Sequence, residues 1–187
     1  MTQEQHTQAL THLVDIYSGR ATGQYGLSQI NQLAHAVQAA HHARTQGLTP
    51  SVVVAALLHD IGHMVHDLGE HPAANGIDDQ HELLGADWLA RYFGDDVTEP
   101  VRLHVAAKRY LCTIEADYFF NLSKDSVESL ELQGGRMSEA EIADFQKSAY
   151  WKDAVALRRI DEMAKDPKGP MPPFDDFSPE ILGTLKR

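Results

Sequence analysis

The sequence LLHDIGH, at residues 57–63, places a histidine and an aspartate side by side at the end of an apolar run. His59 and Asp60 follow the residues VVVAALL, so the pair is expected to be buried, and a buried carboxylate is costly unless it is compensated. Neighbouring side chains on a helix point about 100° apart, and both reach one region only beside the helix end, where Gly62 lets the chain turn. The stretch therefore predicts a buried helix that ends at a metal site.

Length and composition favour one soluble domain that spans residues 1–187. The chain has 27 acidic and 16 basic residues and a formal net charge of -11, which argues against a nucleic-acid partner. Cys112 is the only cysteine, so no internal disulfide is expected. The first residues lack the apolar core of a signal peptide, and no apolar run approaches the roughly 20 residues of a membrane span. We therefore expect a cytoplasmic protein with no membrane partner.

Apolar residues recur at helical spacing over most of the chain, and nothing indicates a sheet. Ser28 is predicted to cap the second helix and Gly47 to end it, while Thr49 and Pro50 open the third. Further helices are predicted at about residues 81–93, from 98–100 onward, at 123–133, after a capping box of Ser138 and Glu141, and at 150–165. The sequence therefore predicts an all-α bundle.

Two segments do not follow this helical pattern. Residues 64–80 contain Gly, Pro, Asn and Asp without any period, and are predicted to form a long loop of the kind that often covers a site. Residues 166–187 are rich in proline but keep large apolar side chains, among them Phe174 and Ile181. We expect this tail to pack back on the domain.

Partners for the His59-Asp60 pair must come from other helices. The candidates are His35 in the second helix, His81 at the start of the fourth, His104 in the fifth and Asp161 in the last. Four imidazoles and two carboxylates suit two metal ions that share Asp60 inside a helical bundle. A mixed nitrogen and oxygen set is typical of iron, manganese or zinc, rather than of copper thiolate or calcium sites.

This set of residues resembles the HD-domain superfamily, whose minimal site is H…HD…D on an all-helical fold. The two added histidines resemble the branch that holds two metals. The sequences LLHDIGH, QHELLGADWL, HVAAKRYL, LELQGGRM and LRRIDEMAK are similar to the mixed-valent di-iron oxygenases that cleave the carbon–phosphorus bond of 1-hydroxyphosphonates. Myo-inositol oxygenase is a more distant relative of the same chemistry.

The resemblance implies an Fe(II)/Fe(III) pair as cofactor, with O2 as co-substrate and phosphate and a carboxylate as products. It places one iron on His35, His59, Asp60 and Asp161, and the other on Asp60, His81 and His104. It assigns catalytic roles to Tyr25, His63 and Lys108, and a small-molecule organophosphonate as partner. An upstream hydroxylase is then expected to supply the substrate.

The phosphonate pocket of these relatives corresponds to His63, Lys108, Ser126, Ser129 and Arg158. Spacing supports two of these residues independently of the resemblance. Lys108 comes four residues after His104, and Arg158 three residues before Asp161, so each cation shares a helix face with a predicted ligand. Each can therefore meet an oxyanion that is bound at the metal.

One departure from the relatives bears on the substrate. Relatives that act on 2-amino-1-hydroxyethylphosphonate carry a glutamate three residues after the tyrosine, where this chain has Ser28 as a candidate substrate contact. A trimethylated nitrogen has no N–H to donate and suits aromatic faces. We therefore favour (R)-1-hydroxy-2-(trimethylammonio)ethylphosphonate, which would give glycine betaine. The aromatic candidates are Tyr25, Tyr110, Tyr118, Phe119 and Trp151, although Asp15 or Glu131 could replace the missing carboxylate.

Two other functions compete with this interpretation. Proteins with the minimal motif include metal-dependent phosphohydrolases, in which a metal-bound hydroxide attacks a phosphate ester. Tyr25 and the segments KRYL and LQGG favour the oxygenase, because a simple phosphohydrolase needs none of them. A metal-stabilised binding module without turnover would leave Lys108 and Arg158 unexplained.

Overall fold

A computed structural model of the chain describes residues 3–186. Within these residues it contains nine α-helices and no strand, with one isolated bridge between Phe93 and Leu185. The helices are α1 (Gln3–Ser18), α2 (Gln32–Thr45), α3 (Pro50–Leu58), α4 (His81–Leu89), α5 (Asp95–Ile114), α6 (Lys124–Leu132), α7 (Glu139–Phe145), α8 (Trp151–Met163) and α9 (Ser178–Thr184). The all-α prediction is confirmed. None of these helices is both long enough and apolar enough to cross a membrane.

Helix α3 forms the centre of the fold. Its apolar residues 52–58 are each at most 3% exposed, and α2, α5, α8 and α9 all pack against it. From the tail, Phe177, Ile181 and Leu185 join the same buried cluster. Because α2, α5 and α8 surround α3, the side chains at the end of α3 lie among the helices that contain the other predicted ligands.

The chain leaves α3 through a short 3₁₀ turn, Ile61–Met64. Gly62 lies in this turn, as the sequence predicts, but its φ is not positive. A Cβ atom at Gly62 would lie 1.9 Å from the carbonyl oxygen of His81. Glycine is needed here because the start of α4 approaches the backbone closely.

The predicted ends of three helices need correction. Ser28 does not cap α2, because the Asn31 side chain accepts a hydrogen bond from the Ala34 amide at 2.8 Å and the helix starts at Gln32. Helix α4 ends at Leu89, four residues earlier than predicted. Helix α5 starts at Asp95, where two acidic residues complement the helix dipole, and it holds Pro100 in its second turn. Proline there removes one backbone donor and brings its ring close to the carbonyl group of Asp96.

Other predicted signals are confirmed. The Thr49 side chain caps α3 with Pro50 at the first helical position, and Ser138 and Glu141 form the capping box of α7. Residues 64–80 contain no α-helix. They include the last residue of the 3₁₀ turn Ile61–Met64 and another 3₁₀ turn at Ala73–Asn75. The loop prediction therefore holds for this segment.

Candidate metal centre

The structure brings the six predicted metal ligands together where α2, α3, α4, α5 and α8 meet. His35 and His59 form one group with Asp161, and the Nε2 atoms of the two imidazoles are 3.1 Å apart. His35 Nε2 lies 3.2 Å from Asp161 Oδ1. His81 and His104 form a second group, also with 3.1 Å between their Nε2 atoms.

The Asp60 carboxylate lies between the two groups. Its Oδ2 is 3.5 Å from His35 Nε2, and its Oδ1 is 3.3 Å from His59 Nε2. The same Oδ1 lies 3.7 Å from His81 Nε2 and 3.8 Å from His104 Nε2. Asp60 is therefore in place to be shared by two ions.

The outer nitrogen of every imidazole in this set is held by an oxygen acceptor. His35, His59 and His104 each donate from Nδ1 to a backbone carbonyl, those of Ala164, Ala56 and Val101, at 2.7 to 2.9 Å. His81 Nδ1 instead donates to Asp79 Oδ1 at 3.0 Å. A neutral imidazole has only one N–H, so the Nε2 atoms of His35, His59 and His104 present lone pairs to the centre, and that of His81 does so once its ring is neutral.

This arrangement fits a pair of metal ions. Two facing lone pairs cannot form a hydrogen bond with each other, so the 3.1 Å contact between the Nε2 atoms of His35 and His59 is unfavourable without a cation. Ligands about 2.1 Å from one metal ion and about 90° apart would be about 3 Å from each other, which agrees with the observed spacing. Outer acceptors that fix the tautomer are also usual for histidines that bind metals.

Burial and charge make the two groups electrostatically different. Burial, with a contribution from His59, lowers the pKa of His35 to about 3, and burial also lowers the pKa of His59 and of His104. Burial opposes protonation of His81 as well, but the hydrogen bond from its ring to Asp79 and the charge of Asp60 raise its pKa to about 9. A metal ion must therefore displace a proton from His81 but not from His35.

A cavity opens beside the metal centre and contains three cations on its wall. Asp60, His81, His104 and Asp161 line it, together with Lys108, Arg158 and Lys165. The three cations surround Ser126. Arg158 donates to its hydroxyl at 3.0 Å, Lys165 donates to the same hydroxyl at 2.9 Å, and Lys108 lies 3.4 Å from its carbonyl oxygen.

Lys108 differs from the other two cations in its partners. Arg158 and Lys165 both contact the carboxylates of Asp161 and Glu162. Lys108 donates to the Ser129 hydroxyl at 2.8 Å and is only 4% exposed. Burial, together with the charges of Arg158 and Lys165, lowers its pKa well below the usual lysine value. An anion bound in the cavity would therefore stabilise the protonated form of Lys108.

The remaining predicted site residues are placed as follows. Tyr25, His63, Ser126 and Ser129 line the cavity. Tyr25 has a left-handed backbone with φ 38°, which costs about 1 kcal/mol or more in a non-glycine residue. Its hydroxyl accepts a hydrogen bond from Arg20 at 3.5 Å. Ser28 lies outside the lining of this cavity and donates to Asp125, so its role as a substrate contact stays a prediction.

The predicted aromatic cage does not form around the cavity. Among its proposed members only Tyr25 lines it. Tyr110 and Trp151 pack against each other in a second hydrophobic cluster, and the Tyr118 hydroxyl accepts a hydrogen bond from Arg158. Asp15 and Glu131 are absent from the lining as well, and the carboxylates that do line the outer cavity include Asp125 and Glu128.

Sequence reasoning missed three residues that contact the centre. Lys165 follows Asp161 by four residues, the same spacing that identified Lys108, so this cation could have been found. Asp79 contacts His81 and His63 across a loop, and Gln32 donates to Asp60 Oδ2 at 3.2 Å and to the Tyr25 carbonyl at 2.8 Å. Neither of these contacts has a helical spacing that the sequence reveals.

Comparison with known proteins agrees with this geometry. The HD domain family matches residues 33–142, which include His35, the His59-Asp60 pair, His81 and His104. A hydroxymethylphosphonate dioxygenase from Gimesia maris is 44% identical over 96% of this chain and 89% of its own length. A [1-hydroxy-2-(trimethylamino)ethyl]phosphonate dioxygenase (glycine-betaine-forming) from Leisingera caerulea is 37% identical over 89% of this chain and 85% of its own. The chain therefore belongs to the HD-domain family, in which two of its relatives are phosphonate dioxygenases.

Proposed function

We propose that the protein uses O2 to cleave the C–P bond of a 1-hydroxyphosphonate, giving phosphate and a carboxylate. The observation that supports this most strongly is the position of Lys108 beside the metal centre. Among residues 3–186, no carboxylate oxygen lies within 4.0 Å of its ammonium group, which is buried. Burial disfavours the charged form of this lysine, and a bound phosphonate would supply the compensating negative charge.

We propose two iron ions as the cofactor. The nitrogen and oxygen donors fit iron, with His35, His59 and Asp161 around one ion, His81 and His104 around the other, and Asp60 shared. When bound, the pair would supply Lewis-acid and one-electron chemistry toward O2. The net reaction adds one oxygen atom to carbon and one to phosphorus for each O2 consumed, and breaks the C–P and C1–H bonds.

The protein's own contribution is to bind and orient the substrate. Lys108, Arg158 and Lys165 surround the space beside Asp161, where they can hold the phosphonate oxygens with charge-assisted hydrogen bonds. This places C1 and its hydroxyl toward the metal ligands. The hydroxyl at C1 would come from an upstream hydroxylase.

For the substituent on C2, we propose the trimethylammonio group predicted from the sequence. The betaine-forming relative supports this choice. Aromatic faces are not the means of recognition, since the cavity lacks the predicted cage. The carboxylates of Asp125 and Glu128 line the outer cavity instead. Their negative charges would balance a cationic nitrogen, whereas the cations lie beside the metal centre.

Hydroxymethylphosphonate is the second candidate. A relative that is 44% identical over most of this chain is named for this substrate. Hydroxymethylphosphonate has no substituent on C1 and would leave the outer cavity to water. The two candidates differ in whether the outer carboxylates contribute to binding.

Phosphorus NMR tests the proposal directly. The protein is loaded anaerobically with iron and incubated separately with the trimethylammonio compound, hydroxymethylphosphonate or 2-amino-1-hydroxyethylphosphonate. Each incubation is carried out with and without O2. We expect phosphate only with O2, and fastest from the trimethylammonio compound. Lys108→Met should reduce this activity by raising KM, while Arg109→Gln should leave it unchanged, because Arg109 contacts Gly135 and Glu141 and does not line the cavity. Phosphate release from phosphate esters without O2 would instead establish a phosphohydrolase.

A further inference from the structure

Three imidazoles converge on one buried carboxylate outside the predicted ligand set. Asp79 is 7% exposed and precedes α4. Its Oδ1 lies 3.0 Å from His81 Nδ1, and its Oδ2 lies 2.6 Å from His63 Nδ1 and 3.1 Å from His66 Nε2. Gln80 has a left-handed backbone with φ 48°, and this turn lets Asp79 Oδ1 also accept from the backbone amide of His81 at 3.4 Å.

The proton positions in this cluster follow from its hydrogen bonds. The backbone amide of Leu68 donates to His66 Nδ1 at 3.1 Å, so the proton of a neutral His66 is on Nε2, facing Asp79. An ionised carboxylate only accepts, so the nitrogens of His63 and His81 that face Asp79 also carry protons. In their neutral forms both rings then present Nε2 as an acceptor on the opposite side. The two rings stack, with centroids 3.9 Å apart and planes at 18°.

We propose that Asp79 is a positioning residue that fixes the tautomers of His81 and His63 together. Through His81 it prepares the second metal group, and through His63 it keeps an acceptor directed at the substrate cavity. The metal part of this inference stands on the geometry alone, and only the part about His63 rests on the proposed function. His66 holds Asp79 in place by donating to the same oxygen as His63.

Substitution of Asp79 by asparagine should act on one group of ligands selectively. The amide has one acceptor and one donor end, and His66 Nε2–H can face only the acceptor end. The amide NH2 would therefore face His81 Nδ1. His81 then has to move its proton to Nε2, which blocks this nitrogen from binding a metal ion. The group of His35, His59 and Asp161 does not contact Asp79 and should be unaffected.

Calorimetric titration of the metal-free full chain with Zn(II) tests this selectivity. We expect two equivalents for the native protein. In Asp79→Asn we expect one equivalent with native affinity and a second weakened by about 10- to 100-fold. Asp67→Asn is the matched control, because this exposed aspartate of the same loop forms an ion pair with Arg20 and, within residues 3–186, with no other side chain, so its change should leave both equivalents intact.

A double variant separates tautomer control from a merely structural role. In Asp79→Asn with His66→Leu, the amide is free to turn its oxygen toward His81, so the second equivalent should recover at least in part. His66→Leu alone should bind two equivalents. Two tight equivalents in Asp79→Asn, or no recovery in the double variant, would overturn the proposal.

Nitrogen-15 NMR of the zinc-loaded native protein gives a test that needs no variant to fold. We expect the proton of His66 on Nε2 and that of His63 on Nδ1. The reverse tautomer at His63 would overturn the assignment. None of these measurements uses turnover, so absence of C–P cleavage would reject the proposed function without affecting this result.

Discussion

The two groups of predicted metal ligands are held in different ways. His35, His59 and Asp161 come from three helices packed around the core, and both imidazoles donate to backbone carbonyls. His81 is the first residue of α4, directly after the long loop, and its ring donates to a side chain, that of Asp79. His104, like the first group, donates to a backbone carbonyl. The difference between the groups is therefore concentrated at His81.

This difference suggests that the first group is a product of core packing, whereas the second depends on local contacts. Helix packing fixes His35 and His59 as long as the fold is intact. His81 needs a close backbone approach at Gly62 and a carboxylate from the loop as well. Changes that leave the core intact should therefore affect the second group first.

The largest effect is expected from Gly62→Ala. The added Cβ would lie 1.9 Å from the His81 carbonyl oxygen, so α4 must move away. We expect a loss of about 3 kcal/mol in the free energy of unfolding, at the upper end of overpacking costs, and loss of metal from the second group. Urea denaturation and metal analysis of the purified protein measure the two effects.

Gly183→Ala is the control for this substitution. Gly183 lies in α9 with no atom within 4 Å of an added Cβ, so alanine there should be neutral or stabilising by up to about 1 kcal/mol. If Gly62→Ala retains two metal ions and native stability, the second group does not depend on this approach and the comparison fails.

The cations of the cavity also differ between the two groups of ligands, in whether they have carboxylate partners. Lys108 follows His104 on α5 and has no carboxylate partner within residues 3–186, whereas Lys165 on the other side contacts Asp161 and Glu162. Lys108→Met should raise KM about 10- to 100-fold, because the substrate loses a hydrogen bond between two charged groups. Lys165→Met should cost less, because its carboxylate partners already compensate its charge. Steady-state kinetics with each candidate phosphonate provide the comparison, and an equal rise in KM for both variants would contradict it.

Much of the first group could be predicted from the sequence. The apolar run before His59 indicated a buried helix, and a buried His-Asp pair needs partners from neighbouring helices. Helical spacing then linked Lys108 to His104 and Arg158 to Asp161. The four side chains line the same cavity, because spacing within a single helix determines which residues share a face.

Contacts between distant segments could not be predicted in this way. Asp79 contacts both His63 and His81 because Gln80 has a left-handed backbone conformation. The cap of α2 is Asn31, whereas the sequence predicted Ser28. The prediction of an aromatic cage was wrong because the sequence does not show which aromatic rings face a cavity. Loop geometry and tertiary packing decided each of these features.

Proton competition should distinguish the two groups in the metal-free protein. The pKa of His81 is raised to about 9, so at neutral pH each ion bound there displaces a proton, whereas His35, with a pKa of about 3, is already deprotonated. Raising the pH from about 7 to 8 should strengthen zinc binding at the second group by about tenfold and leave the first unchanged. Titration at the two pH values measures this. Equal changes at both sites would show that His81 is not protonated.

The smallest effect is expected at the start of α2, where the first group begins. Asn31→Ala removes the side-chain cap of the helix that contains His35 and should cost about 1 kcal/mol of stability. Metal binding should not change, because helix packing rather than the cap positions His35. Ser28→Ala is the matched control, since this exposed serine does not cap the helix. A larger loss of stability from Ser28→Ala than from Asn31→Ala would reverse the assignment of the cap, and loss of metal in Asn31→Ala would show that the first group also depends on local contacts.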